Sequence, residues 1–176
     1  KIYTLYDTFI IDLWGVMHNG ISLNKNAIEA VDNLLKNSKK IVFLSNAPRP
    51  SNEVKQFLRK LNMHEKFLSN IMTSGEAAMQ AINQNQFGKL FYHLGPSRDE
   101  SIFNKVKHNK TKLENCEFIL CTGLFDQQED DLDYYKELLK DSISKKLICT
   151  NPDLTVHRGE TEEYCAGSIA AIFESL

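Results

Sequence analysis

The chain has 176 residues, enough for one ordinary domain or two small α/β units. Apolar residues make up 42%, charged residues 25%, and the net charge is only −2, which excludes a disordered polyelectrolyte and gives no pull toward nucleic acid or an anionic membrane. With 8 glycines and 4 prolines the chain is neither linker-rich nor collagen-like.

Lys1-Ile2-Tyr3-Thr4 lacks the layout of a signal peptide, and no apolar run reaches the ~18 residues of a membrane span. The first predicted strand is the apolar run Phe9 to Val16. Ala27, Ile28, Val31, Leu34 and Leu35 then recur at helical spacing. A strand over Ile41 to Leu44 follows, then a helix opened by Ser51 after Pro50 and carrying Val54, Phe57, Leu58 and Leu61. Ile71 to Thr73 reads as a third strand, and Thr73-x-x-Glu76 as a capping box opening the next helix. After the polar stretch Asn83 to Gly88, strands are expected over Leu90 to Leu94, Phe118 to Cys121 and Leu147 to Cys149. Between the last two, the acidic loop Asp126 to Asp133 enters a helix at Leu132. Ile169, Ile172, Phe173 and Leu176 mark a final helix. Strands alternating with helices predict an α/β class with parallel sheet.

The charge divides along the chain. Residues 1–88 carry 10 basic and 7 acidic groups, and residues 89–176 carry 11 and 16. Two units are therefore expected, joined at Asn83 to Gly88. The four cysteines form no C-x-x-C pair, so zinc is not expected; three sit in apolar runs as small hydrophobes, which fits a reducing cytoplasm. The five histidines show no metal-ligand spacing, and His18, close behind the first strand, is the one expected nearest a pocket.

Ligands of an open parallel sheet bind beyond the carboxyl ends of its strands. Asp12, Ser45-Asn46 and Thr73-Ser74-Gly75 fall at three such ends. A carboxylate, a hydroxyl and a helix N-terminus suit a phosphate and a divalent cation. The bland alternative is a strand-end acid and a turn-forming serine. Arg98 is either a contact for an anionic ligand or a surface arginine.

Asp12-Leu13-Trp14-Gly15-Val16, Leu44-Ser45-Asn46-Ala47-Pro48-Arg49-Pro50 and Thr73-Ser74-Gly75 resemble the opening motifs of the haloacid-dehalogenase superfamily. Cys121-Thr122-Gly123, Thr150-Asn151-Pro152-Asp153 and Tyr164-Cys165-Ala166-Gly167-Ser168 narrow the resemblance to class IIA, a group that includes sugar-phosphate and nitrophenyl-phosphate phosphatases. The fold so implied is a partial Rossmann-like core (1–88) with an inserted α/β cap (89–176). The implied reaction is Mg²⁺-dependent hydrolysis of a small phosphomonoester. By position Asp12 matches the nucleophile, and Asp12 with the Trp14 carbonyl matches the Mg²⁺ ligands. Ser45 and Asn46 match the groups on the phosphoryl oxygens, and Asn151 and Asp153 lie on the cap loop that faces the substrate. The implied partner is a small phosphorylated metabolite, with no nucleic acid or membrane. Members of the class often pair through their caps, which implies a homo-oligomer.

Two departures stand out. The family usually has a second Asp, the general acid, where this chain has Trp14. The catalytic Lys and a further acidic motif of the family are expected beyond Leu176, so the 176 residues alone are expected to have little phosphatase activity. The alternative reading is a non-catalytic module of the same fold that binds a phosphate ligand or a protein.

Overall fold

The computed structural model describes residues 2–176. In chain order it contains β1 (Thr8–Ile11), α1 (Lys25–Lys36), β2 (Lys40–Ser45), α2 (Ser51–Lys60), β3 (Ile71–Thr73), α3 (Ser74–Asn83) and β4 (Phe91–Leu94). A kinked 3-10 segment (Ser97–Asn109) leads to β5 (Phe118–Cys121), α4 (Leu132–Leu139), β6 (Lys146–Cys149), β7 (Thr155–Arg158), β8 (Thr161–Tyr164) and α5 (Ala166–Ser175).

Two parallel sheets result, β1-β2-β3 and β4-β5-β6, with β7-β8 as an antiparallel hairpin. Strands taken consecutively with right-handed crossovers put α1 and α2 on one face of the first sheet. Ile41, Phe43 and Ile71 on that face are buried, packed with Leu13, Met17, Val31, Val54 and Leu58. Side chains alternate along a strand, so the other face presents Ile10, Leu44 and Met72, which are 69%, 51% and 43% exposed.

The second sheet is covered on both faces, and every residue of its central strand β5 is buried. Ile119 and Cys121 pack with Tyr135, Leu139, Ala166 and Ile169. Phe118 and Leu120 pack with Phe91, Ile102, Phe103 and Ile82. Each such aromatic or aliphatic side chain contributes about 1.5–3 kcal/mol when fully buried. Ile82 belongs to α3, so the helix that follows the first sheet is also bound to the second.

Two expectations need correction. The strand predicted over Phe9 to Val16 stops at Ile11. Gly15 turns the chain at φ +75°, and its amide donates to the His18 carbonyl. Leu13 and Met17 are fully buried all the same, so the apolar run reported burial rather than extended backbone. Within the sheet formed by the described residues β2 lies between β1 and β3. Finally, the capping box is half formed. Thr73 Oγ1 accepts the Glu76 amide, but the Glu76 carboxylate turns to the Ser51 amide, which ties α3 to the start of α2. The β7-β8 hairpin was missed, although its signal was present: two four-residue runs flank Gly159-Glu160, and Gly159 adopts φ +65°.

Candidate active site

A cavity of about 330 Å³ lies where the carboxyl ends of the strands meet the β7-β8 hairpin. Its walls bring together five of the expected residues: Trp14, Ser45, Asn46, Asn151 and Asp153. Ser45 closes β2 and is buried; Asn151 and Asp153 sit in the loop after β6. Asp12 stands immediately after β1, exposed, with its carboxylate accepting the Leu13 amide at 2.7 Å. It is at the same carboxyl edge as Ser45 but is not among the residues lining the cavity. His18 does line it; burial lowers its pKa, and the charge of Asp12 opposes that shift.

The loop Ser45 to Pro50 is held from below by the start of α3. Ser45 Oγ accepts the Ala47 amide at 3.2 Å, and Thr73 Oγ1 donates to the Arg49 carbonyl at 2.7 Å. The Gly75 amide donates to the Ala47 carbonyl at 3.1 Å. A Cβ at Gly75 would come within 2.4 Å of the Pro48 carbonyl oxygen, so only glycine allows this approach. The opposite wall repeats the device. The Gly167 amide at the start of α5 donates to the Asp153 carbonyl at 3.1 Å, and a Cβ there would meet the Pro152 oxygen at 2.2 Å. Ser168 does not cap α5; its hydroxyl donates to the Leu154 carbonyl at 2.6 Å.

Five contacts bridge the walls. Asn46 Nδ2 donates to Asp153, and the Ser74 hydroxyl to the Thr150 carbonyl. Trp14 Nε1 donates to the His157 carbonyl at 3.2 Å, and the Arg158 guanidinium lies 5.4 Å from the Trp14 ring centroid. Arg49 Nε lies 3.8 Å from Asp99 Oδ1. Sequence reasoning missed this last pair. Arg49 was visible only as part of a motif, and Asp99, beside Arg98, carried no signal that set it apart. Yet Asp99 is 2% exposed, and burial raises its pKa to about 6 against the pull of Arg49 and Arg98. Arg98 also lines the cavity and is exposed.

The donors expected for Mg²⁺ are the Asp12 carboxylate and the Trp14 carbonyl. Both are hard oxygens, which suits an ion that keeps several waters and takes the rest of its shell from a substrate phosphate. Among the described residues no group of three or more His, Cys, Asp and Glu could hold a metal ion. No helix among them is long and apolar enough to cross a membrane.

The family model of haloacid dehalogenase-like hydrolases matches residues 9–108. The chain belongs to this family. No curated protein gives a significant match. Among solved structures, a haloacid dehalogenase-like hydrolase from Brucella suis 1330 is similar at 29% identity and TM-score 0.90, over 99% of this chain and 67% of that one. A 4-nitrophenylphosphatase from Thermotoga maritima is 23% identical, with a TM-score of 0.69 over 99% of this chain and 66% of that one. A p-nitrophenyl phosphatase from Archaeoglobus fulgidus is 18% identical at TM-score 0.70, over 96% and 64%. The chain thus has the haloacid-dehalogenase fold and spans about two thirds of the length of these structures. Its first sheet with α1 and α2 is the partial Rossmann-like core of that fold.

Proposed function

We propose that the protein is a class IIA phosphatase of small phosphomonoesters, with residues 1–88 supplying core and 89–176 a cap. The observation that carries this reading is the convergence of Ser45 and Asn46, from the end of β2, with Asn151 and Asp153, from the loop after β6, on one cavity. In this reading an Asp12 carboxylate oxygen attacks phosphorus, the bond to the leaving oxygen breaks, and an aspartyl-phosphate forms. Water then displaces the phosphate and restores the carboxylate. Ser45 and the Asn46 amide hold the phosphoryl oxygens, positioning them and spreading their charge. A bound Mg²⁺, held by Asp12 and the Trp14 carbonyl, supplies offsetting positive charge. Trp14 carries no titrating proton, so the leaving group takes its proton from water. The phosphatases among the similar structures support the substrate class.

The test is nitrophenyl phosphate and a panel of sugar phosphates with added Mg²⁺, on these 176 residues and on a longer chain that carries the later Lys and acidic motif, with Asp12→Asn as control. Turnover by the longer chain, abolished in Asp12→Asn, supports the reading. Phosphate binding without turnover by the longer chain on any substrate instead favours a non-catalytic module that binds a phosphate ligand. The engagement of Trp14 with His157 and Arg158, in the place of the general acid, is what favours that second reading.

A further inference from the structure

We infer that Arg49 is an anion-binding residue of the cavity and that Asp99 is its positioning partner. This rests on the cavity being the ligand site, though not on turnover. Arg49 comes from the β2-α2 loop and Asp99 from the segment after β4, so the pair spans the two walls. Three observations carry the inference.

First, the backbone of Arg49 is fixed. Its carbonyl accepts Thr73 Oγ1, and Gly75 packs beneath Pro48 and Arg49. The side chain therefore leaves an anchored point, which lowers the entropy lost when it grips a ligand.

Second, the ion pair uses Nε. Among the described residues, neither terminal nitrogen of Arg49 makes a hydrogen bond or a closer ion pair, and the residue lines the cavity. A guanidinium offers its N–H groups as a rigid fork. Its Nε edge faces Asp99 at 3.8 Å, an ion pair rather than a hydrogen bond, so its donors are left for an oxyanion.

Third, Asp99 is an expensive group to place here. It is 2% exposed, and its Oδ1 has no hydrogen-bond partner. A buried carboxylate with a partner at 3.8 Å does not recover its desolvation cost by stability alone. The other charged groups acting on it are Arg98, which favours the carboxylate, and Glu53, which opposes it, while the Thr122 hydroxyl also favours it. Thr122 in turn contacts His93 Nε2 at 2.9 Å. Asp99, which also borders the cavity, thus faces Arg49 from the opposite wall and sets its orientation.

Any oxyanion of tetrahedral shape fits this chemistry, whether a transferring phosphoryl group or a second anionic group of the ligand. Sulfate is the probe of choice because it does not change charge near neutral pH. The chain's only tryptophan, Trp14, lines the same cavity and serves as the reporter. The experiment is sulfate titration of Trp14 fluorescence at constant ionic strength and pH 7.5. Arg49→Met is expected to weaken sulfate on the order of tenfold, and Arg49→Lys to recover only part, since a point charge lacks the fork. Asp99→Asn is expected to weaken sulfate severalfold in the native background and to have no further effect in Arg49→Met. A simple charge effect would do the reverse, because removing a negative group would tighten an anion. Unchanged sulfate affinity in both Arg49 variants overturns the anion site. Tighter binding in Asp99→Asn, or an equal effect with and without Arg49, overturns the positioning role. Competition of nitrophenyl phosphate with sulfate separates the sources: loss of sulfate on adding substrate assigns Arg49 to the phosphoryl group, and joint occupancy assigns it to a second anion. Sulfate binding without turnover in a longer chain that carries the later Lys and acidic motif would count against the phosphatase reading while leaving this inference standing.

Discussion

The side-chain amide of Asn46 donates to the carboxylate of Asp153, 107 residues further along the chain. One residue follows the last position of β2, and the other lies in the loop after β6, so this bond spans the cavity mouth. The walls are in contact without a ligand, and the polar groups a ligand would need are already oriented by each other. A ligand can take the Asn46 backbone N–H, or the second N–H of its side-chain amide, with the bond to Asp153 in place. Asn46→Ala and Asp153→Ala are expected to couple by about 0.5–1 kcal/mol in a double-mutant cycle read by denaturant unfolding. Additive effects would mean that the bond contributes nothing in solution.

The leaving-group dependence follows from Trp14. If the proposed chemistry holds, nitrophenyl phosphate, whose leaving group needs no proton, should be turned over far better than an alkyl phosphate. Trp14→Asp should narrow that gap by on the order of 10²-fold while lowering stability through loss of the bond to His157 and the contact with Arg158. The measurement is the ratio of kcat/KM for the two substrates in each protein. An unchanged ratio would show that position 14 has no role in protonating the leaving group.

The buried pair His93 and Asp99 makes opposite demands on pH. Burial lowers the His93 pKa from 6.5 to about 4, so folding keeps the ring neutral. Its stabilising balance is complete above pH 6.5 and is lost as pH falls toward 4. Asp99 is raised from 3.8 to about 6, so the folded state binds the extra proton, and stability is gained as pH falls from 6 toward 4. Each limb is worth at most on the order of 3 kcal/mol. They oppose, so the native protein should show a shallow profile between pH 4 and 6.5. Asp99→Asn should steepen the loss on acidification, and His93→Gln should turn it into a gain. Urea unfolding at several pH values reads both, and identical slopes in all three proteins would sink this account.

Gly167→Ala is expected to cost about 1–3 kcal/mol, because the added methyl has no room against the carbonyls of Pro152 and Asp153. It should also shift the Asn151 to Asp153 loop and so weaken the hold on Asn46. Thermal unfolding checks the first part, and hydrogen exchange at residues 151–154 the second. A neutral substitution would show that the loop gives way easily.

Much of the fold was legible because burial was written into the sequence. The runs Ile71 to Thr73 and Phe118 to Cys121 are strands with the predicted bounds, and Leu132 does open a helix behind its acidic loop. The first motif misled because Leu13 and Met17 are core residues of a turn, and periodicity cannot distinguish an apolar turn from a strand. The cavity wall was legible where motif residues stand at a strand end, as with Ser45, or in the loop just beyond one, as with Asp153. Asp99 was not, since a lone carboxylate among Ser, Arg and Glu looks solvated until a second sheet closes over it. The hairpin was hidden by its charged strands, whose Glu162, Glu163 and Arg158 pair with one another and across to Thr155 rather than burying an apolar face.

Among the described residues, Ile10, Leu44 and Met72 form an oily strip on a sheet whose outer strand, β1, pairs on one side only. Such a strip makes colloidal behaviour and folding stability respond to different variables. Sulfate and similar excluded salts compact the fold, yet they also drive oily strips of separate molecules together, while β1 offers them a ladder to join. Solubility should therefore fall with protein concentration and with such salts well before unfolding begins. Light scattering at 25 °C, rather than a melting temperature, is the quantity that sets usable conditions for these 176 residues.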